Sequence, residues 1–199
     1  MGDSFSRKGQ NRYLDPYVNR WTTKILPGEY AVTAEDELIV TAVGSCIAAC
    51  IHDTVTGIGG MNHFMLPSST GGDWAGQNAA ARYGNFAMEF LINEILKQGG
   101  KKTNLVAKIF GGGTMMPAQL QIGEMNAAFA REYLQTEKIP ILAEDVGQGY
   151  SRKVYFHPKS GAVTMKKLMV LANDTIPRRE ADYGKVLSDM PLDGEVELF

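Results

Sequence analysis

Two neighbouring apolar stretches constrain the fold of this chain more than any other feature. Ser45 to His52 is a mostly apolar run that ends at Asp53, which is typical of a buried strand. Val55 to Met65 follows after a short turn and is predicted to be the return strand. Such a pair of strands places Cys46, near the start of the first strand, beside His63, near the end of the second.

A cysteine beside a histidine indicates a nucleophilic active site. A thiol attacks strongly only as thiolate, and a neighbouring imidazole is the usual group that holds it in that form near neutral pH. Gly44 and Ser45 precede Cys46 and permit a close approach of the backbone to a substrate carbonyl. A second interpretation stands beside this one, because free cysteines and lone histidines on apolar strands are also common as buried core residues.

Strand and helix signals alternate through the rest of the chain. Further strands are predicted over Glu29 to Thr33, Leu38 to Val43, Leu105 to Phe110, Ile139 to Val146, Lys153 to His157 and Ala162 to Val170. Two helices are predicted, from about Asn78 and from Gly123, with apolar stripes at Tyr83, Ala87, Leu91 and Ile95, and at Ala127, Ala130, Tyr133 and Leu134. Strands outnumber helices, so the sequence predicts an α+β domain with helices on one side of packed sheets.

The two ends of the chain differ in character from its middle. Residues 1–24 are polar and mildly basic and are predicted to be an N-terminal extension, followed by a single domain over 25–175. Residues 176–199 are predicted to be an acidic C-terminal arm, and its far end, from Asp189 to Phe199, is expected to be either docked irregularly or disordered. The motifs end by about Val170, so neither end is expected to contribute to the chemistry.

Bulk composition excludes several classes of function. An apolar fraction of 44% and a charged fraction of 21% are ordinary for a globular protein, and 199 residues suffice for one well-buried core. The net charge of −2 argues against nucleic-acid binding, which usually needs a basic face. The apolar runs are shorter than the ~20 residues that a membrane helix needs, and residues 1–20 lack the apolar core of a signal peptide. We therefore expect a cytoplasmic protein without membrane insertion.

Other possible sites are weakly supported. On one face of a strand Cys46 and Cys50 would lie roughly 13 Å apart, whereas a disulfide needs Cα atoms within about 7 Å. His52 shares no CxxC or HxxxH spacing with the cysteines, so no metal site is predicted. Phe110 to Thr114, with its three glycines, lacks the Gly-Lys-Ser/Thr ending of a phosphate loop. We expect these glycines to let a loop pass close to the active site.

Short motifs between about Gly28 and Val170 occur together, and in the same order, in a known family. They are Gly44-Ser45-Cys46, Gly59-Gly60-Met61-Asn62-His63-Phe64-Met65-Leu66-Pro67, Arg82-Tyr83-Gly84-Asn85, Ala107-Lys108-Ile109-Phe110-Gly111-Gly112, Ile122-Gly123 with Asn126, Glu144-Asp145-Val146-Gly147 and Arg152-Lys153-Val154-Tyr155-Phe156. By these motifs the chain resembles the CheD family of bacterial chemotaxis proteins, the chemoreceptor glutamine deamidases.

The resemblance implies a fold and an activity. The fold is a layered α-β-β sandwich, similar to the catalytic domain of the bacterial toxins that deamidate Rho proteins. The activity is that of a protein-glutamine glutaminase, which converts glutamines on the cytoplasmic helices of methyl-accepting chemoreceptors to glutamate without a cofactor. Cys46 would be the nucleophile, His63 the acid and base, and Thr41 the residue that orients the imidazole. The same chemistry allows hydrolysis of glutamate methyl esters.

Two alternatives remain open from the sequence. The resemblance also implies binding to a CheC-type chemotaxis phosphatase, so the chain is alternatively a binding module that stimulates such a partner. A related thiol hydrolase, such as a protease or a transglutaminase, is the third interpretation. The pairing of Cys46 with His63 favours an enzyme, since binding alone does not need a reactive thiol.

Overall fold

A computed structural model describes residues 7–9, 11–66, 74–114, 120–168 and 175–188. Within these ranges the chain forms two β-sheets, three α-helices and one short 3₁₀-helix. The α+β prediction is confirmed at this level, as a mixed fold of two sheets and three helices. In the same part of the chain no helix is long and apolar enough to cross a membrane.

The first sheet has six strands and carries the predicted strand pair at its centre. In spatial order its strands are Arg7–Lys8 (β1), Glu29–Thr33 (β4), Gly59–Phe64 (β7), Ile47–Asp53 (β6), Leu105–Gly111 (β8) and Ile141–Val146 (β9). The second sheet has five strands: Ala162–Leu168 (β11), Ser151–His157 (β10), Leu38–Val43 (β5), Arg20–Lys24 (β3) and Asn11–Asp15 (β2). The helices are Trp74–Lys97 (α1), Leu120–Thr136 (α2) and Thr175–Ser188 (α3), with the 3₁₀-helix at Lys102–Asn104.

Strands β6 and β7 form the antiparallel pair that the sequence predicts, in a register that places Ala48 opposite His63. The turn between them is held by the Asp53 carboxylate, which accepts hydrogen bonds from the N–H groups of Val55 at 2.8 Å and Thr56 at 2.9 Å. Directly opposed residues of an antiparallel pair lie on the same face of the sheet. Cys46 precedes Ala48 by two residues, so the strand period of two directs it towards the face that carries His63.

Helices α1 and α2 pack on the six-stranded sheet through the predicted stripes. All eight stripe residues are buried, namely Tyr83, Ala87, Leu91 and Ile95 on α1 and Ala127, Ala130, Tyr133 and Leu134 on α2. Fully burying a side chain such as Leu91 or Ile95 stabilises the fold by about 1.5–3 kcal/mol. The second sheet contacts the first through β5 and β10, so β6 is buried along nearly its whole length.

Part of the N-terminal extension predicted over residues 1–24 forms strands of the second sheet. Strands β2 and β3 belong to the second sheet, where β3 pairs in parallel with β5. The sequence hides this because β2 is an edge strand with few apolar residues. Its Arg12 is satisfied by an ion pair with Glu37 and by packing over the ring of Trp21.

The first part of the predicted C-terminal arm is helical. Residues 175–188 form helix α3, whose inner face buries Pro177, Glu180 and Leu187. These buried positions are three and seven residues apart, a spacing that places them on one face of the helix. The acidic residues beyond 188, with Leu198 and Phe199, lie outside the described residues.

Candidate active site

The turn Gly44-Ser45-Cys46 joins β5 of the second sheet to β6 of the first. All three of its backbone carbonyls are held by hydrogen bonds from one loop and one helix: Gly113 N to Gly44 O at 2.6 Å, Asn126 Nδ2 to Ser45 O at 2.8 Å and Gly112 N to Cys46 O at 2.8 Å. The three N–H groups of the turn converge on one carboxylate, that of Glu180 described below, in an arrangement known as a nest.

The glycine loop after β8 passes against the back of this turn, as the sequence predicts. Gly111 has a φ of +123°, which disfavours side chains, and a Cβ atom there would lie 2.0 Å from the carbonyl oxygen of Cys46. Gly112 follows with a φ of +60°. The loop therefore approaches Cys46 as closely as backbone can approach backbone, and glycine is required for it.

A buried arginine lies beside this loop, since a Cβ atom added at Gly113 would be 3.3 Å from one of its terminal nitrogens. Arg152 is fully buried, and its Nε donates to Asp145 Oδ1 at 2.6 Å. Its other nitrogens donate to the carbonyls of Tyr150 at 2.9 Å and Gly147 at 2.7 Å. A buried charge is tolerated when it is paired and its donors are satisfied in this way. The Glu144 to Gly147 and Arg152 motifs thus act in packing around the site.

Thr41 and His63 are in direct contact within the core. The Thr41 hydroxyl donates to the backbone carbonyl of Ile25 at 2.8 Å, and its oxygen lies 2.8 Å from Nδ1 of His63. A hydroxyl has one hydrogen, so once this is given to Ile25 the oxygen must accept from His63. The network therefore assigns the proton to Nδ1 and leaves a lone pair on Nε2. Nε2 is buried and has no hydrogen-bond partner among the described residues.

Cys46 completes the group that the sequence predicts. Its Sγ, a ring nitrogen of His63 and a carboxylate oxygen of Glu180 lie within 4.8 Å of one another. Both cysteines are free thiols, but Cys50 lies further along β6, opposite Met61 and Lys108. The structure therefore brings together Cys46, His63 and Thr41 and leaves Cys50 outside the site.

The protonation of the pair reflects its burial. Burial, together with the negative charge of Glu180 and a hydrogen bond to it, raises the pKa of the Cys46 thiol well above its usual value. Burial and the positive charge of Arg179 lower the pKa of His63 to about 3. With α3 in place, the structure thus favours a neutral thiol beside a neutral imidazole, since both charged forms lose hydration.

Glu180 on helix α3 is the residue of the site that sequence reasoning missed. Its Oε1 accepts from the N–H of Gly44 at 2.6 Å and of Cys46 at 3.4 Å. Its Oε2 accepts from the N–H and the hydroxyl of Ser45, both at 2.7 Å. The signal in the sequence is an acidic residue at a helical spacing from two apolar residues of the same face, Pro177 and Leu187. The region after residue 170, from which no contribution to the chemistry is predicted, thus supplies a side chain that contacts the turn.

Cys46, His63 and Glu180 are also a set of donors that a metal such as zinc accepts. The geometry assigns the carboxylate another role, because both of its oxygens already accept hydrogen bonds from the turn. A thiol, an imidazole and an N–H nest are the parts of a nucleophilic acyl-transfer site.

Comparison with known proteins gives the family of this chain. Residues 65–167 match the family model described as "CheD chemotactic sensory transduction". A protein of Janthinobacterium sp. (strain Marseille), named "Probable chemoreceptor glutamine deamidase CheD", is 50% identical over 191 residues, which are 95% of this chain and 94% of that protein. A protein of the same name from Herminiimonas arsenicoxydans is also 50% identical over 191 residues, with the same coverage of both chains.

The chain belongs to the CheD family. The family model begins to match two residues after His63, so the case for Cys46 and His63 within this family rests on their geometry. Among solved structures, the Bacillus licheniformis hypothetical protein YfiH aligns with a TM-score of 0.38 and 15% identity, over 58% of this chain and 49% of that one. A likeness this weak carries no argument.

Proposed function

We propose that this protein is a chemoreceptor glutamine deamidase, a protein-glutamine glutaminase that acts in the cytoplasm. Its substrates would be glutamines on the cytoplasmic helices of methyl-accepting chemoreceptors, in line with the names of its CheD relatives. The observation that carries the proposal is the contact group of Cys46, His63 and Thr41 beside an N–H nest that already binds a glutamyl carboxylate.

The reaction follows from these groups. The Cys46 thiol gives its proton to Nε2 of His63, and the sulfur attacks the side-chain carbonyl carbon of the substrate glutamine. The tetrahedral intermediate then loses ammonia, which takes the proton from His63 and leaves a thioester. His63 next deprotonates a water molecule that attacks the thioester, the C–S bond breaks, and glutamate is released. No cofactor enters the scheme.

Two further features of the site would assist the reaction, namely the hydroxyl of Thr41 and the backbone N–H groups of the turn. Thr41 keeps the proton on Nδ1, so that Nε2 serves as the base. The N–H groups of Cys46 and of Ser45 or Gly44 would hold the negative oxygen of the intermediate. Support for this comes from Glu180, whose oxygens those same groups bind.

The same site should also hydrolyse glutamate methyl esters, because an ester carbonyl is more electrophilic than an amide carbonyl and methanol can leave with the proton that His63 carries. A CheC-type phosphatase partner is a separate expectation from the family.

We also propose the α-β-β layering of the Rho-deamidating toxins. The packing of α1 and α2 on the first sheet, and of the second sheet against the first, supports this layering.

Incubation with receptor cytoplasmic fragments, followed by peptide mass spectrometry, tests the function. The proposed enzyme converts specific glutamines to glutamate, and the Cys46→Ala variant does not. A protease would instead cleave the fragments, and a transglutaminase would cross-link them. A pure binding module would leave the fragments unchanged while binding the phosphatase.

A further inference from the structure

Helix α3 places a carboxylate where the proposed reaction needs an oxygen. The donors to Glu180, namely the N–H groups of Gly44, Ser45 and Cys46, are those assigned above to the negative oxygen of the intermediate. A glutamate side chain differs from a glutamine side chain only by an oxygen in place of the amide nitrogen. Glu180 therefore has the shape of the substrate side chain and the chemistry of the product, and a helix presents it.

We propose that α3 is a built-in product mimic that closes the active site, and that the surface beneath α3 is the docking surface for the receptor helix. This inference rests on the proposed function, since it takes the substrate to be a glutamine on a helix. The amide oxygen of a substrate and the carboxylate of Glu180 need the same N–H donors, so only one of them binds at a time. Turnover requires α3 to move away.

The residues that α3 contacts lie next to the catalytic pair. Tyr183 of α3 packs against Gly28 and shares a short hydrogen bond with the hydroxyl of Tyr83. Gly184 lies so close to Met65 that an added Cβ would sit 3.0 Å from the methionine methyl group. Gly28 itself donates its N–H to the carbonyl of His63 at 2.7 Å. Gly28, Met65 and Tyr83, the docking surface, thus hold a helix with its glutamyl side chain directed at the thiol.

A catalytic role for Glu180 fits the geometry less well. The intermediate carries a developing negative charge, and a group that assists it must supply donors or positive charge. Glu180 instead occupies the donors with a negative charge of its own. Its charge also raises the pKa of the Cys46 thiol, which opposes formation of the nucleophile. The carboxylate therefore acts as an occupant of the site.

The first experiment asks whether the site treats position 180 as a substrate. The Glu180→Gln variant of the full chain carries an amide where the carboxylate stood. We expect Cys46 to attack this amide carbon, ammonia to leave with a proton from His63, and water to release a carboxylate. Peptide mass spectrometry over time should therefore find glutamate regenerated at position 180, with one equivalent of ammonia released.

The double variant Cys46→Ala with Glu180→Gln is the control, and it should keep the amide. It separates enzymatic conversion from spontaneous deamidation, which would occur in both chains. The Glu180→Gln chain must be folded and able to convert receptor glutamines for the result to count. If the amide at position 180 persists in such a chain, α3 does not place this side chain as a substrate.

The second experiment measures access to the thiol. In a Cys50→Ala background Cys46 is the only thiol, and Glu180→Ala removes the carboxylate that fixes α3. If the closed state holds about nine tenths of the molecules, its loss raises the rate of alkylation by iodoacetamide and the rate of receptor deamidation roughly tenfold. Asp182→Ala, at an exposed position of the same helix, is the matched control and should change neither rate.

Failure of this inference and failure of the proposed function give different results. If Glu180→Ala slows receptor conversion and alkylation, or leaves both unchanged, the proposed closure of the site by α3 is overturned. An absence of receptor conversion in the wild type and in both Glu180 variants would overturn the deamidase. Faster alkylation in that second case would still support closure of the site by α3.

Discussion

The hydroxyl oxygen of Thr41 lies 2.8 Å from Nδ1 of His63, which joins a residue of the second sheet to a histidine of the first. The hydroxyl hydrogen is already given to the carbonyl of Ile25, so the oxygen is available only as an acceptor. The proposed role of Thr41, keeping the proton of His63 on Nδ1, rests on this contact. The contact also ties the site to the packing of the two sheets.

The first prediction concerns this contact. Thr41→Val removes the acceptor for Nδ1, and losing a buried hydrogen bond costs about 1–3 kcal/mol. If this free energy is lost from the stabilisation of the transition state, the kcat for deamidation falls by roughly 5- to 150-fold. Thr41→Ser keeps the hydroxyl and should retain most of the rate. Steady-state kinetics on a receptor fragment measure both, and equal rates for Thr41→Val and wild type would remove Thr41 from the site.

The second prediction separates the two cysteines. Cys46→Ala should abolish deamidation and leave the fold intact, because the side chain becomes smaller without a new polar group. Cys50→Ala should retain most of the activity, since Cys50 lies on β6 away from His63, and burial raises the pKa of its thiol. Circular dichroism and mass spectrometry of the receptor fragment compare the variants. Turnover by Cys46→Ala at a substantial rate would contradict the mechanism.

The adjacency of Cys46 and His63 was predictable because it depends on local signals. Two short apolar runs separated by a turn define an antiparallel pair, and the length of the turn sets the register. The helical stripes on α1 and α2 follow from periodicity in the same way. These features need no knowledge of distant parts of the chain.

The role of Glu180 was not predictable in this way. Its partner Ser45 is 135 residues away in the sequence. The contacts of Glu180 are made in part by backbone N–H groups, which cannot be recognised from the types of the residues that carry them. The strands β2 and β3 were missed for a related reason. Their polar side chains are satisfied by pairs such as Arg12 with Glu37, so the apolar alternation of a strand is weak.

The third prediction tests the glycine loop behind the nucleophile. Gly111→Ala should destabilise the protein strongly, because the new Cβ would lie 2.0 Å from the carbonyl oxygen of Cys46 and the φ of +123° is strained for alanine. Displacing that carbonyl also shifts the N–H nest, so deamidation should fall in whatever protein remains folded.

The control for steric contact is Gly147→Ala. Gly147 also has a positive φ, of +75°, but no atom lies within 4 Å of an added Cβ. Only the backbone strain of roughly 1–2 kcal/mol should appear there. Urea unfolding of both variants measures the difference, and equal losses of stability would show that the close approach to Cys46 is not required.

The fourth prediction concerns the carboxylate of Asp53, which holds the turn between β6 and β7. Burial opposes the charged form of Asp53, but hydrogen bonds from Thr56, Lys101, Val55 and Asn104 outweigh it and lower the pKa of Asp53 to about 2. In the unfolded chain the pKa of an aspartate is about 3.9. The folded state therefore binds this proton less readily than the unfolded state does.

A lowered pKa stabilises the fold above the unfolded value and loses that effect as the pH falls towards the folded value. The contribution of Asp53 should therefore be complete above about pH 5 and disappear between about pH 4 and pH 2. Asp53→Asn cannot titrate, so its free energy of unfolding should lie below that of the wild type near neutral pH. The gap should close on acidification, because the wild type loses the contribution that the variant lacks. Urea unfolding at intervals from pH 6 to pH 2 measures the gap, and a constant difference across that range would show that the charge of Asp53 does not stabilise the β6–β7 turn.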